Sequence, residues 1–175
     1  MGIVARSLSG VTGVCVFALL VACGPPPGPP ETVRAFPVRS MDGVLTRSGV
    51  VFDADQSSDG NGSLRLDGPG WGSVRLFETG DLDAEHARLI YSAKIRTEGL
   101  EGRAYLEMWC RFPGQGEFFS RALDMPVSGT TEWVSQQTPF LLQAGQNPDN
   151  VKLNLVVEGE GTVWIDDIRL ERVSL

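Results

Sequence analysis

The sequence predicts an all-β chain, an antiparallel β-sandwich of the jelly-roll kind, and three observations carry that prediction. From about Glu31 onward apolar side chains recur mainly at every second position, the period of a strand with one buried face. Clusters of Gly, Pro, Asp and Asn break the pattern at short intervals, as they do between the strands of a sandwich or barrel. No segment shows the 3.6-residue period of a long amphipathic helix. Eight or nine short strands in a chain of 175 residues fit two packed sheets with one core.

The first 23 residues, MGIVARSLSGVTGVCVFALLVAC, read as a leader: a short segment bearing Arg6, then an apolar run from Val11 to Ala22 of secretory length, too short to span a bilayer comfortably. The end of this run, Leu20-Val21-Ala22-Cys23, resembles the bacterial lipobox, with Gly24 after it. That resemblance implies cleavage before Cys23, a thioether-linked diacylglycerol on its sulfur, and export to the cell envelope. In the lipoproteins it resembles, a residue other than Asp after the cysteine implies the outer membrane where the source has two. Gly2 is no myristoylation site, because Arg6 stands where that motif needs Ser or Thr. Pro25 to Pro30, PPPGPP, can form neither helix nor ladder and is expected to run as a polyproline spacer at about 3.1 Å per residue. The expected organisation is therefore leader 1–22, lipidated cysteine and linker 23–35, and sandwich 36–175.

Candidate strands follow in order at 44–52, 63–67, 73–78, 87–97, 103–112, 117–123, 132–142, 151–158 and 162–173. The turn clusters between them include Ser57 to Gly62, Gly68-Pro69-Gly70, Glu98 to Gly102, Pro113 to Gly116, Asn147 to Asn150 and Glu158 to Gly161. Each supplies residues that tolerate positive φ or fix a turn.

Alternation then assigns faces. Ala104, Leu106, Met108, Cys110 and Phe112 share one side of their strand and belong to the core. Tyr105, Glu107, Trp109 and Arg111 share the other, a mixed aromatic and charged row that a plain solvated face rarely carries. In the preceding strand Leu89, Tyr91, Ala93 and Ile95 point inward, while Ser92, Lys94 and Arg96 point outward. If those two strands pair through a turn at Glu98 to Gly102, the polar rows fall on one sheet face. Lys152, Asn154 and Glu158 form a third outward row, whose place depends on strand order. Trp133 and Trp164 lie in strongly patterned strands and are expected in the core, whereas Trp71 sits between two glycines.

Charge and composition exclude several functions. The formal net charge is −7, and Arg6 is the only charged residue before Cys23, so 14 basic residues face 22 acidic ones beyond it, a balance of −8. Lys94 and Lys152 are the only lysines. Such a chain is no nucleic-acid binder, which would need clustered Lys and Arg. Neutral ligands, cations or another protein suit it better. Cys15 and Cys23 lie in the leader, leaving Cys110 as the one thiol of the domain and no disulfide framework.

Four stretches together resemble the carbohydrate-binding-module-like jelly rolls of the galactose-binding-domain-like superfamily: Gly60-Asn61-Gly62-Ser63-Leu64-Arg65-Leu66, Tyr91 to Thr97, Ser128 to Trp133, and Gly161 to Leu170 with its Trp164-Ile165-Asp166-Asp167-Ile168-Arg169-Leu170 ending. The resemblance spans nearly all of residues 42–173. It implies a binding role, with carbohydrate as the expected ligand and protein docking or a structural envelope role as the alternative. It also implies a structural calcium ion near the chain ends, at Asp166 or Asp167, with Asp53 and Asp55 among the loop residues that could add ligands. Calcium needs several hard oxygen ligands, and the Asp53 to Asp59 stretch is no EF-hand, because Ser58 and Leu64 replace the turn glycine and the bidentate Glu.

A sugar ring offers an apolar C–H face and a rim of hydroxyls, so its site combines a flat aromatic surface with planar polar groups. Trp109 with Tyr105, Glu107, Arg111, Lys94 and Arg96 supplies that kit, and Trp71 or the Phe112 to Phe119 loop are alternatives. Catalysis is not expected. His86 is the only histidine and lies in a polar turn; Cys110 points inward; the adjacent Asp166 and Asp167 alternate to opposite faces and cannot straddle a glycosidic bond.

Overall fold

A computed structural model describes residues 28–68, 70 and 72–175. The expected leader, the expected lipidation site Cys23 and Trp71 lie outside the described residues. The described residues form eight antiparallel strands: β1 (Glu31–Phe36), β2 (Val50–Asp53), β3 (Ser63–Gly68), β4 (Ser73–Thr79), β5 (Ala87–Phe112), β6 (Gly116–Arg121), β7 (Val127–Leu142) and β8 (Asn150–Ser174). β1 moves the start of the sandwich from 36 back to Glu31. Its register with β8 runs from Glu31 opposite Arg172 to Phe36 opposite Ile168, and Val33 and Phe36 pack against the core.

The main departure from the sequence reading concerns two glycine clusters. Glu98 to Gly102 and Glu158 to Gly161 are not hairpin turns, because β5 and β8 run straight through them and pair with each other from Ala87 opposite Ser174 to Arg111 opposite Asn150. The register shifts between Glu98 and Glu101, and the two-stranded ribbon folds over there. Gly102 and Gly159 face each other at φ of 146° and 120°; a Cβ on either would lie about 2 Å from the backbone carbonyl opposite, on Glu158 or Glu101. Glycine is needed at this corner, where each strand passes from one sheet to the other.

The fold-over defines the sandwich. The far half of β5 (104–112) and the near half of β8 (150–157) form one sheet with β4 and β6. The near half of β5 and the far half of β8 form the second with β1, β2, β3 and β7. Leu106, Met108 and Cys110 from the first and Leu89, Tyr91 and Ile95 from the second are fully buried between them, as alternation predicts. Each such aliphatic side chain contributes about 1.5–3 kcal/mol by leaving water. Cys110 is a core residue, and burial pushes its thiol pKa up to about 12, far from the reactive thiolate.

Candidate functional site

The fold-over separates the residues that the sequence appeared to put on one face. Tyr105, Glu107, Trp109 and Arg111 lie on the outer face of the first sheet; Lys94 and Arg96 lie on the outer face of the second. No hairpin joins the two rows, so the six do not share one sheet face.

On the first sheet the third row resolves in favour of Trp109. β8 places Asn154 opposite Glu107 and Lys152 opposite Trp109, β6 adds Phe119 opposite Trp109 and Arg121 opposite Glu107, and β4 adds Ser73 and Arg75 beyond β8. Glu107 is the hub. Its Oε1 accepts from Ser73 Oγ (2.8 Å) and Asn154 Nδ2 (3.0 Å), and its Oε2 from Arg121 Nε (2.6 Å). The side chain is only 2% exposed. Burial by itself raises its pKa, but hydrogen bonds from Asn154, Trp109, Ser73 and Arg121 outweigh it and hold the carboxyl below its ordinary value. Glu107 is therefore an ionised anchor that orients its neighbours.

Above this floor the aromatic surface remains open. Trp109 is half-buried and tilts against Phe119 (centroids 4.9 Å, 43°), whose side is 50% exposed, and the Arg121 guanidinium lies 4.4 Å from the centre of the Phe119 ring. Trp109 and Arg121 wall a groove of about 350 Å³ together with Ser73, Glu107, Asn154 and the Lys152–Glu117 pair (2.5 Å). Flat apolar rings beside planar, pre-oriented hydrogen-bonding groups are what a sugar ring requires. Tyr105 and Arg111 contribute less than their place in the row suggests. Tyr105 is buried and donates its hydroxyl to Glu158 (2.9 Å), and Arg111 pairs with Asp149 (2.8 Å). Phe119, expected only as part of an alternative loop surface, sits on β6 beside Trp109, and Arg121 and Ser73 were missed, because only inter-strand register brings them to Glu107.

The second sheet carries a comparable set of side chains in a closed arrangement. Trp164 is 5% exposed yet belongs to the outer row, where Arg96 sits 4.9 Å above its ring and its indole N–H donates to Asp53 Oδ2 (2.9 Å). Its burial comes from the outer face and not from the core; Trp133 is half-buried and also outside the core cluster. Arg96 donates onward to Gln56 (2.8 Å), so this row fastens the β2–β3 loop.

The calcium expectation meets the same loop. Asp53 Oδ1 accepts the backbone N–H groups of Asp55 and Gln56, and Asp166 Oδ2 accepts the N–H and hydroxyl of Ser58 (2.8 Å each). A β-bulge on β8 holds Asp167 at φ 52° and brings it to the outer face beside Arg169 (2.6 Å) and Lys94 (3.8 Å), instead of to the face opposite Asp166. Among the described residues no group of three or more His, Cys, Asp or Glu side chains is placed to hold a metal. Asp53, Asp166 and Asp167 take donors from the protein itself, and Asp55 brings only its backbone N–H to Asp53, so these residues as arranged do not converge as a calcium cage needs.

No family model and no curated protein matches the chain. Solved structures do. The CBM22-1 xylan-binding domain of Paenibacillus barcinonensis Xyn10C is similar with a TM-score of 0.60 at 16% identity, over 83% of this chain and 96% of that one. A family 16 carbohydrate-binding module matches with a TM-score of 0.55 at 13% identity, over 74% and 91%. The C-terminal family 22 carbohydrate-binding module of Clostridium thermocellum Xyn10B matches with a TM-score of 0.52 at 10% identity, over 82% and 94%. At these identities the likeness defines the fold alone: the chain is an antiparallel β-sandwich, the fold those modules share.

Proposed function

We propose that this chain is a non-catalytic carbohydrate-binding module, exported and anchored in the cell envelope through a lipid on Cys23, which takes its ligand on the outer face of the first sheet. The carrying observation is the open Trp109–Phe119 pair set over the ordered floor of Glu107, Asn154, Ser73 and Arg121. Similar solved structures named for xylan binding support the reading, and they make xylan the first glycan to try. The charged groups around the groove pair off, Arg75 with Glu78, Arg111 with Asp149, Arg121 with Glu107 and Lys152 with Glu117, which leaves orientation and stacking as the means of recognition. Exposed His86 and core-bound Cys110 offer no nucleophile and base to join to this face.

Electrophoresis of the mature protein through gels containing xylan or β-glucan tests the reading. Retardation by at least one polysaccharide is expected, and Trp109→Ala is expected to abolish it with the thermal midpoint little changed; free migration through a broad glycan panel would sink it. Anchoring has its own check, since Cys23→Ser should lose labelled palmitate in vivo and release the protein from the membrane fraction.

A structural or protein-docking envelope lipoprotein is the second reading. It is favoured by Phe118, Phe119, Leu123 and Met125, which leave β6 and the segment after it with exposed apolar side chains at an open sheet edge.

A further inference from the structure

Arg121 walls the groove beside Trp109. The same arginine lines a larger groove of about 690 Å³, walled by Asp124 and Met125 after β6, Gln137 and Pro139 on β7, and Lys94 on β5. Phe119 stacks beside Trp109 and under the Arg121 guanidinium, and Met125 in the larger groove is 79% exposed. The larger groove also carries polar chemistry. Gln136 on its floor is 93% buried; its amide N–H₂ donates to the Met125 carbonyl (2.5 Å) while its Oε1 has no partner. Lys94 is held loosely, 3.8 Å from Asp167, and Gln137 stands exposed.

We propose that the two grooves form one track for a single linear glycan chain, in which Trp109 and Phe119 hold the first sugar units, Arg121 spans the junction, and Met125, Gln137 and Lys94 contact units further along. This inference rests on the carbohydrate reading of the Trp109 face. The volumes of about 350 and 690 Å³ leave the second groove with more room than the first. The second groove has no aromatic ring among its walls, so it adds affinity through hydroxyl contacts and one thioether surface, and only for chains long enough to reach it. Binding then depends on chain length, with the added affinity located at residues the Trp109 groove does not use.

Isothermal titration of the mature protein with xylotriose, xylohexaose, cellotriose and cellohexaose tests this. In at least one series the hexasaccharide should bind about tenfold more tightly than the trisaccharide. The double variant Met125→Ala, Gln137→Ala, both on exposed positions, should bring the hexasaccharide to within about two- to threefold of the trisaccharide and leave the trisaccharide unchanged. A hexasaccharide advantage that is missing from the wild type, or undiminished in the variant, would overturn the track while the Trp109 site stands. No heat with any sugar, together with free migration in the gels, overturns the carbohydrate reading and the track with it.

Discussion

The outer faces of the two sheets carry nearly the same inventory and put it to different ends. Each has a tryptophan, an arginine stacked on an aromatic ring, and a buried or half-buried carboxylate receiving several hydrogen bonds. On the second sheet the β2–β3 loop folds over Trp164, and Asp53 and Asp166 serve as its fastening points. On the first sheet no described segment covers Trp109 to that degree, and Glu107 fastens side chains of four adjacent strands instead of a loop. An aromatic and charged row therefore does not by itself mark a binding face. What separates lock from groove is whether the indole N–H and the ring surface are already taken.

That contrast can be broken by substitution. Trp164→Ala should cost the most stability, about 3–5 kcal/mol, since it empties a buried space and frees the loop; chemical denaturation measures it, and glycan retention should survive. Loss of retention with intact stability would reverse the roles of the two faces. Glu107→Ala comes next, at about 2–3 kcal/mol, because Ser73 and Asn154 lose their acceptor and Arg121, a third exposed, is left without its counter-ion.

The same carboxylates set the acid limit. Glu107 and Asp53 both titrate below their ordinary values in the fold, Asp53 chiefly through the Trp164 indole N–H. A depressed carboxyl pKa contributes stability that is complete above the unfolded-state value, about 4, and is lost as pH falls through the folded value. The thermal midpoint should therefore drop below about pH 4. Glu107→Gln should flatten that drop in midpoint scans; an unchanged slope would mean that other carboxylates dominate.

Smaller effects sharpen the picture. Asp166→Ala removes the acceptor of Ser58 and should cost about 1–2 kcal/mol by the measure of a lost cap, with glycan retention untouched. Chelator should leave the melting midpoint where it is, because the oxygens of Asp53 and Asp166 already receive N–H and O–H donors. A midpoint lowered by EDTA and restored by calcium would show that the β2–β3 loop rearranges around an ion.

Much of the fold was legible in the residues. Alternation placed Leu106, Met108 and Cys110 inward and Glu107 and Trp109 outward, because a strand with one wet face must segregate its side chains with period two. The glycine clusters at 98–102 and 158–161 were equally visible, but their meaning was not. A residue at positive φ serves a hairpin and a strand corner alike, and the choice lies in the carbonyl of the partner strand some 57 residues away, Gly102 against Gly159. That ambiguity is why Lys94 and Arg96, read as sharing a sheet face with Trp109, lie on the other sheet.

By itself the sequence determined the fold class, the buried rows, an inert Cys110 and Trp109 as the residue to watch, since these follow from local periodicity and side-chain chemistry. Tertiary structure alone decided that Phe119, Arg121, Ser73 and Asn154 complete the Trp109 face, that Trp164 is locked under a loop, and that the acidic cluster is spent on hydrogen bonds. Pairing between strands far apart in the chain is set by the packing of the whole core, and no short stretch of sequence encodes which outward rows will share a face.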